Sequence, residues 1–136
     1  MAQEALDMAC GWVKQRPTRD GMLADKQAIQ WMIADSEVEL RAARMLVYDA
    51  ASKVDAGQSG KVDASICKLY GTETAGRVVD RAIQMFGGMG VAQEMPLERW
   101  YRELRVKRIG EGPSEVHRMV IARDKLRNTN GGVYFS

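Results

Sequence analysis

The stretch Gln84–Arg118, QMFGGMGVAQEMPLERWYRELRVKRIGEGPSEVHR, gathers the residues that could do chemistry. It holds five of the thirteen glycines, at 87, 88, 90, 110 and 112, and Glu111 is the carboxylate in it that has glycine on either side. Lacking a Cβ, Gly87, Gly88 and Gly90 would bare the backbone to close approach by a ligand; the bland reading is a glycine-rich helix terminus. A dinucleotide-binding loop is a poor match, because its glycines follow a strand and open a helix, whereas these follow a helical segment. Glu111 is either a solvated turn residue or a carboxylate at the mouth of a cleft, where glycine neighbours leave room for a substrate and the side chain could take a proton as a general base. Composition and periodicity do not choose between these.

Other chemistry-bearing residues point less far. His117 is the only histidine, and Cys10 and Cys67 form no CxxC pair, so there is no zinc-ligand set. On a helix with Arg118 and Arg123, His117 reads as a surface or packing residue. The basic run RWYRELRVKR is superficially like a nucleic-acid patch, but reads better as a helix whose Trp100 and Leu104 pack inward while its arginines face water or pair with carboxylates. Nine methionines at core spacing fill a core more readily than they build a groove.

The elements that must position these residues follow from the apolar spacing. Ala2 to Gln15 carries Leu6, Ala9, Cys10 and Val13 on one face, and RPTRDGM breaks it. From about Leu23 to Ala56, Ile29, Met32, Ile33, Leu40, Ala43, Val47 and Ala50 recur every three or four positions, predicting a long amphipathic helix. A third helix is predicted from about Lys61 to Phe86, ended by GGMG. Pro96 and Pro113 open two more, to Val106 and about Arg127, since proline suits a first helical turn. Nothing alternates with period two over a useful length, so no sheet is expected. The fold class is all-α: an antiparallel four-helix bundle with an additional short helix, spanning residues 1–127, with 128–136 as a flexible tail.

At 136 residues the chain suits one domain, and 46% apolar with 28% charged residues is ordinary globular composition. Twenty basic against 18 acidic side chains give a net charge of +2, which disfavours a dedicated nucleic-acid module. No apolar run approaches the roughly 18 residues of a membrane span. Two sparse thiols and no signal peptide suggest a reducing compartment, cytoplasm or mitochondrial matrix.

Taken in order, AIQMFGGMGV, MPLERWYRELRV and IGEGPSEVHRMVIARDKL resemble the C-terminal region of the acyl-CoA dehydrogenase family. That family shows Gln-x-x-Gly-Gly-x-Gly, then Pro-x-Glu-Arg-x-Tyr-Arg-Asp, then Tyr-Glu-Gly-Thr-Ser-Glu. The earlier QRPTRDGMLADKQAIQ is similar to the family's Arg-x-Thr-Phe-Gly segment with its following Gln-Ala-Ile. The resemblance implies a helical C-terminal domain of an FAD-dependent enzyme of fatty acid β-oxidation type, which converts acyl-CoA thioesters to trans-2-enoyl products. It implies that Glu111 abstracts the α-proton while the β-hydrogen leaves as hydride to FAD, and that Gly112 lies beside the substrate. Arg16, Thr18, Gln84, Gly87 and Gly88 fall on positions that touch FAD held by a neighbouring subunit, so a homo-oligomer, dimer or tetramer, is expected, and an electron-transfer flavoprotein is the expected redox partner.

The chain departs from the family pattern at three places: Arg19-Asp20 for Phe-Gly, Pro113 for threonine, and Gly110 for an aromatic residue, which widens the expected acyl pocket. It is also short of the domains that bury most of the FAD and the CoA tail, so it is expected to be one domain or a fragment of a longer enzyme and inactive alone. The competing expectation is a non-catalytic bundle serving self-association.

Overall fold

A computed structural model describes residues 1–129 of the 136. Five α-helices carry the chain: α1 (Ala2–Gln15), α2 (Gln27–Asp55), α3 (Lys61–Phe86), α4 (Pro96–Lys107) and α5 (Ser114–Asn128). The all-α class is as the spacing predicts, and the helix ends fall close to the predicted ones. Pro113 caps α5 from outside, with extended backbone, instead of opening its first turn. The expected tail falls mainly on residues 130–136, outside the described residues, while Asn128 still belongs to α5.

α3 is the axis of the bundle. Val78, Val79, Ala82, Met85 and Phe86 are buried along it, and α1 packs against it through Ala5, Ala9 and Val13. Leu97 and Leu104 bring α4 onto the same core, with Trp100 half-buried beside them. Each fully buried valine, leucine, methionine or phenylalanine among them contributes about 1.5–3 kcal/mol by leaving water. α2 runs antiparallel to α3. Lys53 reaches Asp63 at 2.8 Å near the connection, Cys67 Sγ donates to the Leu46 carbonyl at 3.3 Å, and Arg81 and Arg77 share Glu39 further along. Glu39 titrates below the usual carboxylate range: burial pushes it up, but hydrogen bonds from Arg81 and Arg77 outweigh that.

Two expectations need correction. A two-stranded antiparallel hairpin is present, β1 (Pro17–Thr18) with β2 (Gly21–Met22), registered Pro17 to Met22 and Thr18 to Gly21. Strands of two residues have no alternation for a sequence to display. The hairpin is tied off instead by polar contacts: the Thr18 hydroxyl donates to the Gly21 carbonyl at 2.9 Å, and the Met22 N–H donates to Asp25 at 2.7 Å. A short 3₁₀ turn, Leu23–Asp25, then precedes α2, so the long helix starts at Gln27 and not at Leu23. The second correction concerns which face of α2 is covered. Only Ile29 and Ser36 are fully buried on it, and Val47, predicted to face inward, is half exposed. Trp31, Val38 and Met45, at seven-residue spacing, are more than 60% exposed and form an outward apolar row.

Candidate functional site

The seven residues singled out from the sequence fall into two groups at different heights on α3. At one end, Trp12 of α1 stacks on Phe86 of α3, with ring centroids 5.1 Å apart and planes within 16°. That stack brings the end of α1 and the end of α3 side by side. Arg16, exposed just past α1, lays its guanidinium over Trp12 at 5.7 Å from the ring centroid, and Thr18 follows in the hairpin. Gln84 is exposed on the last turn of α3, and Gly87 caps that helix with φ +64°. Arg16, Thr18, Gln84, Gly87 and Gly88 therefore share one end of the bundle, although some seventy positions separate them in sequence.

The glycines of this loop differ in what demands them. A Cβ on Gly90 would lie 2.7 Å from the Ile83 carbonyl oxygen, so Gly90 is glycine for packing and is buried, contrary to its reading as bared backbone. Gly87 needs its left-handed φ. Gly88 is exposed, its φ is not in the left-handed region, and a Cβ there would meet nothing within 4 Å. Nothing among the described residues requires glycine at 88.

The second group sits on the turn between α4 and α5. Glu111 is the only described non-glycine residue with positive φ, at +57°, followed by Gly112 at +98°. With Gly110, Val106, Lys107, Lys68 and Thr72, Glu111 borders a groove of about 260 Å³. The Glu111 side chain is open to water within this chain. Gly112 has structural reasons of its own: a Cβ there would be 3.1 Å from the His117 ring, and its carbonyl accepts a hydrogen bond from Lys68 Nζ at 2.8 Å. His117 is thus a packing residue, and neither ring nitrogen has a hydrogen-bond partner.

Two residues that the sequence did not flag hold this turn. Glu73 of α3 accepts from the Ser114 hydroxyl at 2.8 Å on one carboxylate oxygen, and pairs with Arg108 at 2.8 Å on the other. Burial pushes the Glu73 carboxyl up, but the Ser114 hydrogen bond and the Arg108 and Arg118 guanidiniums bring it below the usual range. Lys68 holds Gly112, as above. These contacts join residues about forty positions apart, which no local pattern signals.

The two groups do not meet. Glu73 and Phe86 are thirteen residues apart on one helix, and Lys68 and Phe86 eighteen, so the turn and the glycine loop lie about 20–27 Å from each other along α3. A larger groove of about 350 Å³, lined by Arg77, Asp80, Arg81, Tyr101, Arg105 and Arg108, includes none of the predicted residues. Its guanidiniums are largely engaged, Arg77 and Arg81 by Glu39 and Arg108 by Glu73. The basic run on α4 is paired in part, Arg102 with Glu98 at 3.1 Å and Arg99 with Glu103 at 3.8 Å. Both thiols are free, and burial pushes Cys10 and Cys67 above the usual thiol range. Among the described residues no cluster of metal ligands occurs, and no helix is long and apolar enough to cross a membrane.

The bundle carries its candidate residues on an end and an edge and encloses neither group. Residues 1–126 match the family model described as acyl-CoA dehydrogenase, C-terminal domain, and the chain belongs to the acyl-CoA dehydrogenase family. It is 42% identical over 127 residues to a 3-(aryl)acrylate reductase of Clostridium sporogenes, covering 93% of this chain and 34% of that protein. It is 43% identical over 122 residues to the caffeyl-CoA reductase-Etf complex subunit CarC of Acetobacterium woodii, covering 90% and 32%. The solved butyryl-CoA dehydrogenase of Megasphaera elsdenii superposes with a TM-score of 0.89 at 39% identity, over 93% of this chain and 33% of that one. The chain spans about a third of the length of these relatives.

Proposed function

We propose that this chain is the C-terminal domain of a flavin-dependent enzyme that exchanges two hydrogens across the α,β carbons of acyl-CoA thioesters, with Glu111 as the α-carbon base. The observation that carries the reading is the separation of the two groups. Residues matching the family's FAD contacts lie together at one end, and the matching glutamate lies about 20–27 Å away along α3. One protomer therefore contributes to two different sites, which favours a homo-oligomer in which each FAD is shared between copies. The outward row of Trp31, Val38 and Met45 on α2 supports such association.

The residues present fit FAD at the α1–α3 end. Arg16 is an exposed cation, and a guanidinium suits a diphosphate. Gly88 leaves room for close approach that this chain does not fill itself. The bound cofactor would supply the two-electron acceptor. Thr18 donates its hydroxyl hydrogen to Gly21, so it can face a ligand only as an acceptor. Glu111 takes the α-proton on a carboxylate oxygen, and its base strength has to come from drying. This chain leaves it wet, so the acyl chain and the covering domains must close over the groove. The positive φ of Glu111 holds the side chain at the groove rim, a costly backbone state of the kind that collects at functional sites.

Two relatives are named reductases, and this favours a second reading in which Glu111 delivers the α-proton to an enoyl thioester. The same carboxylate serves either direction, and the redox partner sets which one runs. An electron-transfer flavoprotein is the partner we propose, since one relative is named as part of a reductase-Etf complex. The test uses the holoenzyme, meaning the assembly that joins this domain to its flavin-bearing remainder. Mixed anaerobically with saturated acyl-CoA thioesters, from butyryl-CoA to a 3-arylpropionyl-CoA, it should lose its visible flavin absorbance. The Glu111→Gln holoenzyme should keep its FAD and its colour. Normal bleaching by that variant would place the base elsewhere, and absence of bleaching in the parent would favour a bundle that serves association alone.

A further inference from the structure

Glu111 sits where its backbone does not want to be. A non-glycine residue in the left-handed region costs roughly 1–2 kcal/mol, and such a residue persists only where its surroundings over-determine it. The turn Arg108–Pro113 gains part of that determination from its own backbone: Gly110 N–H donates to Val106 O at 2.9 Å, and Ser114 N–H to Arg108 O at 3.2 Å. Those bonds close the turn on itself but do not tie it to α3. The rest comes from α3. Glu73 fixes Arg108 before Glu111 and Ser114 after it, one partner on each carboxylate oxygen, both at 2.8 Å. Lys68 Nζ donates to the carbonyl of Gly112, the residue next to Glu111, also at 2.8 Å. Three residues bracketing Glu111 are thus pinned to two side chains of α3, the helix with the most buried residues.

We propose that Glu73 and Lys68 are positioning residues that set the orientation of Glu111 against the α-carbon of the thioester. The inference rests on the reading of Glu111 as the base. Neither residue has to touch substrate for this. Glu73 is engaged by Ser114, Arg108 and, more loosely, Arg118 at 3.9 Å. Lys68 borders the same groove as Glu111, but its ammonium is committed to the Gly112 carbonyl. Misplacement of a reacting group by about 1 Å costs on the order of 10²-fold in rate, so a small tilt of the turn is enough to be read kinetically. The proposed FAD contacts lie about 20 Å or more along α3 from both residues, so cofactor affinity should not follow the rate.

The experiment compares Lys68→Met, Lys68→Arg, Glu73→Gln and Glu111→Gln holoenzymes in anaerobic stopped-flow reduction by butyryl-CoA and by its α-deuterated form, with FAD affinity and Tm measured on each. Lys68→Met should slow flavin reduction about 10–100-fold and raise the α-deuterium isotope effect, with FAD affinity within about twofold of the parent. Lys68→Arg, which keeps a donor of similar reach, should restore most of the rate. Glu73→Gln keeps an acceptor for Ser114 but loses the charge that holds Arg108, and should fall between. A merely structural role would lower Tm and leave the rate and isotope effect of the folded fraction unchanged. If Glu73→Gln does not fold, Lys68→Met carries the test alone. Active Glu111→Gln would remove the base reading and this inference with it. Inactive Glu111→Gln beside Lys68→Met at the parental rate and isotope effect would leave the base standing and overturn the inference alone.

Discussion

Gly87 and Glu111 have nearly the same φ, +64° and +57°; Gly87 directly follows α3, and Glu111 lies in the turn that follows α4. At the first, the residue is the one the backbone prefers. At the second, it is one the backbone resists, and α3 supplies Glu73 and Lys68 to hold it. The glycine loop is therefore explained by chain geometry at Gly87 and by packing at Gly90, with only Gly88 left over for a ligand. The Glu111 turn is explained by neither. The proposed role of Glu111 as the base accounts for a side chain kept there against its backbone preference.

The largest effects should come from crossing the two regions. Glu111→Gln is expected to lower the rate of flavin reduction by about 10²–10⁴-fold, the range a positioned general base supplies, with FAD retained. Arg16→Ala is expected to do the reverse. It should weaken FAD retention by about 10–100-fold, the worth of a hydrogen bond to a charged group, while reduction at saturating FAD stays near the parental rate. FAD titration and stopped-flow reduction on both variants separate the two. If both lose both properties, the regions are not the independent half-sites described above.

Within the glycine loop, Gly90→Ala should cost about 1–3 kcal/mol in denaturant unfolding, because the new Cβ would collide with the Ile83 backbone. Gly88→Ala should change stability by less than about 0.5 kcal/mol, since nothing lies within 4 Å and its backbone tolerates a side chain. Its cost should appear only in cofactor binding. Equal stabilities for the two variants would mean that the loop's packing around Gly90 gives way easily.

How much of this was readable in the sequence divides along the same line. Proline at 96 and 113, glycine after Phe86 and three-to-four spacing of apolar residues are local signals, and the helices they predict are present. The hairpin at Pro17–Met22 gives no signal because two residues cannot alternate. Val47 is half exposed although α3 packs on α2 at the neighbouring Leu46, because spacing defines an apolar face without saying which part of it a neighbour covers. The positions of Arg16 and Gln84 in one place depend on the Trp12–Phe86 stack, and Glu111's clamp depends on Lys68 and Glu73. Such contacts arise only when helices pack, so the motifs named the candidate residues without the geometry that joins or separates them.

Acid should weaken the turn's clamp before it weakens the glycine loop. Glu73 and Glu39 both titrate below the usual range when folded, so their unfolded forms bind protons more readily. Their contribution is complete above the unfolded value, about pH 4–5, and is lost as pH falls through the lower folded values. Each is worth about 1 kcal/mol at most, given partial exposure. Unfolding curves taken from pH 7 to pH 3 should show the decline in the parent and a shallower one in Glu73→Gln. A parallel decline in that variant would assign the acid sensitivity to other carboxylates.

The smallest effect is the one that bears most directly on the two φ angles. Glu111→Gly places at 111 the residue that 87 already has. Relief of the left-handed backbone gains roughly 1–2 kcal/mol, and the greater freedom of glycine in the unfolded chain takes back about 0.5–1 kcal/mol. The net expectation is a stabilisation of about 0.5–1 kcal/mol in urea unfolding, in a protein that no longer reduces flavin. Most substitutions destabilise, so a gain at the proposed base would be hard to explain unless the glutamate is held there for its carboxylate. A loss of stability would mean that the Glu111 side chain contributes to the fold and would remove the contrast with Gly87.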